Sequence, residues 1–166
     1  MYQIGDRVVY GIHGVCEIVA VEKRSVDRKL VEYFALEPLY QRGTRYYVPT
    51  QNQAALAKLH PLLSRREMLE LLDSEDARRD CWIADEGQRK LRYREILAVG
   101  DRAELLSMVG CLYRHKEAQA AQGRKFHLCD ENFLRDARKV LDSEIALVLD
   151  MDLTQVGEYL LQHFTA

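Results

Sequence analysis

No stretch of this 166-residue sequence approaches the roughly 18 consecutive apolar residues that crossing a bilayer demands. Its opening, MYQIGDRVVY, has no basic segment leading into an apolar one. A soluble, cytoplasmic protein is expected. Signatures of chemistry are missing as well: there is no GxGxxG, no GxxxxGK loop, no nucleophile elbow, no HExxH and no Cys-His signature. The four cysteines, Cys16, Cys81, Cys111 and Cys129, form no CxxC pair, so free thiols are expected instead of a disulfide framework. Charge does not lean strongly either way. Charged residues are 30 % of the chain with a net of −2, which excludes a basic nucleic-acid coat and makes any DNA contact local.

What is present suits one good core or two small ones, since 48 % of the residues are apolar. From Gly5 to about Thr50, short runs rich in Val, Tyr and Ile alternate with turn-prone clusters, which predicts strands over 7–10, 14–23, 30–37 and 44–48 with room for a fifth. In the second strand Val15, Glu17, Val19 and Val21 are expected on one face and Cys16, Ile18, Ala20 and Glu22 on the other. So small a sheet removes its edges by curling into an SH3-like or Tudor-like barrel. Gly5, Gly11, Gly14 and Gly43 read as turn formers, as do His13 and His60.

From about Ala54 the period becomes helical. Ser64 with Glu67, Asp101 with Glu104 and Asp152 with Gln155 match the capping box, Asp130 is a further candidate cap, and a helix over 86–98 should end at Gly100. Apolar stripes follow: Leu105, Met108 and Leu112; Leu134, Ala137, Leu141, Ile145 and Val148; Leu153, Val156, Leu160 and Phe164. The segment 72–86 reads as a bend or loop. The expected fold class is therefore α+β: a small SH3-like or Tudor-like β-barrel over 1–54, then an all-α domain of about five helices over 55–166.

The strings YQIGDRVVYGIHGVCEIVAVEKR, EYFALEP and RYYVPTQN occur in that order, and together they are similar to the N-terminal module shared by CarD proteins and the transcription-repair coupling factor. RYREILAVGDRAELLSMVGCLYRH and DENFLRDARKVLDSEIALVL resemble the C-terminal domain of stand-alone CarD regulators. The chain has no room for the coupling factor's helicase motifs, so the stand-alone regulator is the nearer likeness. The resemblance implies a bacterial transcription regulator, not an enzyme, that needs no cofactor, metal or small-molecule substrate. Its barrel would dock on the RNA polymerase β subunit, and its helical domain would touch promoter DNA at the upstream edge of the bubble and stabilise the open complex.

The residues carry their own readings. Arg24, Arg42, Arg45 and Tyr47 are the natural partner selectors on a barrel that can dock by strand addition, and Arg24 stands where the family places a basic contact to polymerase. The alternative is that these arginines only keep the barrel soluble. At Tyr47 some family members carry a basic residue. Between Gln88 and Lys125 nine basic residues face four acidic ones, and Arg89, Lys90, Arg92, Arg94, Arg124 and Lys125 are candidate phosphate contacts or, alternatively, a solvated helix face. Trp82, the single tryptophan, either wedges into DNA at a distorted step or packs with Ile83 over the helical core. Two competing classes stay open. One is a zinc protein using Cys111 and His115 with His127 and Cys129, against which stand the core character of Cys111 and the lack of finger spacing. The other is a Tudor-like peptide-binding adaptor without a DNA role.

Overall fold

The computed structural model describes residues 1–166, which form two compact units, Met1–Leu62 and Leu63–Ala166. The first is a five-stranded antiparallel sheet of β1 (Arg7–Tyr10), β2 (Val15–Val26), β3 (Lys29–Pro38), β4 (Tyr46–Pro49) and β5 (Leu59–Pro61). The strands are hydrogen-bonded in the order β4-β3-β2-β1-β5. Every strand contributes to one buried cluster of Val8, Cys16, Ile18, Phe34, Leu36, Val48 and Leu59, so the sheet curls around its own core. The unit ends later than the expected 54/55 boundary. Helix α1 (Gln53–Leu56), capped by the Asn52 side chain accepting from the Ala55 N–H at 3.1 Å, carries the chain from β4 into β5. There His60 pairs with Val9, as a strand residue and not a turn former. Three residues of strand are too short to show a period in sequence.

The predicted alternation in β2 holds only as far as Ile18. A bulge between Ile18 and Ala20 shifts the register, so Ile18 faces Leu36 while Ala20 faces Ala35 and Val21 faces Phe34. One extra residue reverses the faces of everything after it. Val21 thus lies on the Ile18 face, and Glu22 and Arg24 move to the opposite one. The strand then turns at Asp27 and Arg28, both at positive φ, the backbone a tight two-residue hairpin needs.

The second unit contains α2 (Arg65–Asp73), α3 (Glu75–Arg78), α4 (Glu86–Val99), α5 (Arg102–Ala121), α6 (Leu128–Val148) and α7 (Val156–Thr165). Both halves of the capping box form at Ser64/Glu67 and at Asp152/Gln155, the latter opening a 3-10 turn that leads into α7. At Asp101 the carboxylate accepts from the Glu104 N–H at 3.0 Å, while the Glu104 side chain is engaged by Arg92 at 2.6 Å. Gly100 closes α4 in the left-handed conformation, φ 75°. Two expectations change. The 72–86 segment is not all loop, because Ser74 caps the single turn of α3. Asp130 is not a cap: α6 starts behind His127, and Asp130 lies buried in its first turn.

Helix α5 is the centre of this unit. Leu105 to Tyr113 are all buried, more than the expected Leu105, Met108 and Leu112 stripe, because neighbouring helices cover this stretch on every side. No helix is long and apolar enough to cross a membrane.

Candidate protein-docking and nucleic-acid surfaces

In an antiparallel ladder, paired residues share a face. Glu22 pairs with Tyr33, Ala35 with Tyr47, and Tyr33 with Pro49, so Glu22, Arg24, Tyr33, Glu37 and Tyr47 occupy the outer face of β2, β3 and β4, which Arg45 reaches from just before β4. The Arg24 guanidinium lies 4.0 Å from the centroid of the Tyr47 ring and 3.2 Å from the Glu22 carboxylate. Arg45 bridges Glu37 at 2.8 Å and Glu22 at 3.3 Å, and Tyr33 meets Tyr47 edge to face. Hydrogen bonding to Glu22 raises the Arg24 pKa, and hydrogen bonding to Glu37 raises that of Arg45. The result is an exposed lattice of alternating charge around two aromatic rings. Arg42 stands apart, exposed in the turn between β3 and β4.

The expected basic surface of the helical unit is largely neutralised. Arg89 is 3 % exposed and shares two 3.0 Å hydrogen bonds with the fully buried Asp130, so it is a structural ion pair and not a phosphate contact. Burial is the largest single influence and works against its charge, but the hydrogen bonds and the negative charge of Asp130, with smaller contributions from other neighbours, together outweigh it and its pKa is raised. Lys90 pairs with Glu86, Arg92 with Glu95 and Glu104, Arg102 with Glu144, and Lys116 with Glu131. Glu86, Asp130, Glu131 and Glu144 all lie outside residues 88–125. Distant acids that fold onto a basic segment leave no trace in a local tally. Arg94, Arg124 and Lys125 remain exposed and make no ion pair.

Trp82 takes the packing alternative. It is half-buried against the helical core, stacks on His115 at 3.7 Å between ring centroids, and carries the Arg89 guanidinium 4.3 Å from its ring. A ring held this way is not poised as a free wedge. A sequence signal for the Arg89 pair did exist. Asp130 stands four residues before Leu134 on the apolar stripe of α6, and Arg89 is in helical step with the buried Tyr93 and Ile96. A charge on an apolar stripe needs a buried partner.

The four residues of the zinc alternative do not converge. Cys129 donates to Glu86 at 3.5 Å and His127 is exposed at the start of α6. Cys111 and His115 instead meet Asp80, whose carboxylate accepts from the Cys111 thiol at 3.0 Å and from the Trp82 N–H at 3.1 Å. Donation from the Cys111 thiol, helped by Ser107, outweighs burial and lowers the Cys81 pKa to about 7. Burial lowers that of His115. The Ser107 hydroxyl, on α5, donates to the Arg79 carbonyl at 2.8 Å and pins this stretch to the helix. Nothing in the sequence joins residues 31 positions apart, so only Cys111 and His115, one helical turn from each other, were legible.

A small curled sheet presenting charge and aromatic rings on an ordered outer face belongs to the class of protein-interaction domains. Compared with known families, residues 2–60 match the CarD-like/TRCF RID domain, and this first unit is accordingly a CarD-like RNA polymerase-interacting domain. The family supports RNA polymerase interaction in transcription-related proteins. No curated protein matches the chain.

Proposed function

We propose that the chain is a transcription regulator that grips the RNA polymerase β subunit with the outer face of β2, β3 and β4 and contacts promoter DNA with the helical unit, lengthening the life of the open complex. The observation that carries this reading is the CarD-like match over residues 2–60, together with the Arg24, Arg45 and Tyr47 cluster on one face of that unit. Arginine and tyrosine are the side chains that most often dominate an interface once desolvated. Arg42 would extend the contact from the adjacent turn. DNA contact falls to Arg94, Arg124 and Lys125, with Lys90 and Arg92 available only if their ion pairs open. A factor that binds the open complex better than the closed one shifts the equilibrium by its differential affinity, without a cofactor or a chemical step.

Binding of a polymerase β fragment by the intact chain and by Arg24→Glu tests the first half; the substitution should weaken binding at least about 30-fold, the scale of losing an interface hot spot. Equal binding would overturn it. Open-complex lifetimes with Arg94, Arg124 and Lys125 all changed to Glu test the second half, and they should shorten. The pairing of most helical cations favours one competing reading, a peptide-binding adaptor without a DNA role. Unchanged lifetimes alongside intact polymerase binding would select it.

A further inference from the structure

We propose that Asp80, Cys81, Cys111 and His115 bind one divalent transition metal, with zinc the ion best suited to their oxygen, sulfur and nitrogen donors. The ligating atoms of Asp80, Cys111 and His115 lie within 4.8 Å of one another. Cys81 stands outside that trio, but it is next to Asp80 in the chain and beside the Cys111 thiol, so it is the nearest group to complete the set. Two donors come from one face of α5, spaced i and i+4, and two from adjacent residues after α3. Each half is held in place before any ion arrives. The Ser107 hydroxyl fixes the Arg79 carbonyl to α5, and the His115 imidazole is stacked on Trp82. Cys81 lines a cleft of about 370 Å³ shared with Asp76, Arg79 and Ser107, which gives an ion a route from solvent.

A separate observation points the same way. The Tyr93 hydroxyl is buried without a hydrogen-bond partner, and Cys111 and Cys81 are foremost among its electrostatic neighbours. Orphaned buried hydroxyls are rare. A thiolate that stays negative because a metal holds it would give this O–H an acceptor, as outer hydrogen bonds do around metal-bound sulfur. The set departs from the expectation that the chain needs no metal, and it shares only Cys111 and His115 with the zinc alternative read from sequence.

Titration of the full reduced chain with cobalt(II) under argon tests the assignment. The expected result is one equivalent bound, the visible spectrum of tetrahedral cobalt with thiolate charge-transfer bands, quenching of the single tryptophan through the stacked His115, and displacement by zinc. Asp80→Asn, Cys81→Ser and His115→Gln should each weaken binding by more than about tenfold, a loss that even an outer-sphere change can cause. Cys129→Ser should leave binding unchanged. Cys111 is fully buried, so the three more accessible ligands carry the test if its own variants misfold. Failure of the thiol-intact chain to take up cobalt, or equal uptake by the three ligand variants, would overturn the proposal. So would formation of a Cys81 to Cys111 disulfide when diamide, a thiol oxidant, is added to the chain holding one equivalent of zinc, at the same rate as without zinc.

Discussion

Asp130 and Arg89 meet through two parallel hydrogen bonds inside the helical unit, and Arg89 also donates to the Ile83 carbonyl at 2.9 Å. Taking both charges out of water costs nearly what their attraction returns, but removing one strands the other. Asp130→Ala should therefore cost about 3–5 kcal/mol, whereas Arg89→Met with Asp130→Leu should cost much less. Urea unfolding followed by Trp82 fluorescence would show it. Equal losses in both variants would mean the pair is not acting as a buried unit. Surface carboxylates set a different pH response. Hydrogen bonds from the Ser64 backbone and hydroxyl hold Glu67 below its ordinary 4.5, and those from the Thr154 backbone and hydroxyl hold Asp152 below 3.8. A folded pKa below the unfolded one adds stability above the unfolded value, and that stability is lost as pH falls through the folded one. Melting temperature should fall as pH drops from about 5 toward 3. Glu67→Gln should flatten part of that fall, since glutamine keeps the capping contact without titrating.

Where α5 meets α7, the packing depends on one missing side chain. A Cβ at Gly110 would stand 2.9 Å from two ring carbons of Phe164, and Phe164 is a buried core residue. Gly110→Ala should destabilise the helical unit by about 1–3 kcal/mol through overpacking, with part recovered when Phe164→Leu is added. Thermal unfolding of the single and double variants measures it, and additive losses would refute the contact. Gly157 looks alike but differs, because its Cβ would meet only the flexible end of Arg138. At this scale the sequence was most legible wherever the cause was local. Caps at Ser64, Asp101 and Asp152, the αL glycine at 100 and the apolar stripes of α6 and α7 are each set by residues a few positions apart. The β5 strand, the β2 bulge and the covering of α5 are set by distant partners, which a one-dimensional pattern does not hold. The same division runs through the candidate site. Arg24 and Tyr47 can be singled out by residue type, but their shared face follows from the bulge at Val19, and the pairing of the basic residues follows from acids on other helices.

Two units on one chain act as one binder when both engage the same assembly, because the second contact then occurs at an effective concentration set by the chain instead of by bulk solution. Each contact can be weak. On the proposed reading the second unit binds DNA weakly by itself, since only Arg94, Arg124 and Lys125 of the candidate phosphate contacts are exposed without an ion-pair partner. Each phosphate neutralised lowers the slope of log K against log salt by about 0.9, so three contacts predict a slope near −3 for the intact chain on duplex DNA. A slope near −5 would show that Lys90 and Arg92 abandon Glu86, Glu95 and Glu104 to reach the backbone. Fluorescence anisotropy across a salt series separates the two outcomes. On a polymerase-promoter complex, Arg24→Glu should cost far more occupancy than the triple Glu variant, because it releases the contact that supplies the local concentration. If the triple variant costs as much, DNA and not polymerase recruits this chain.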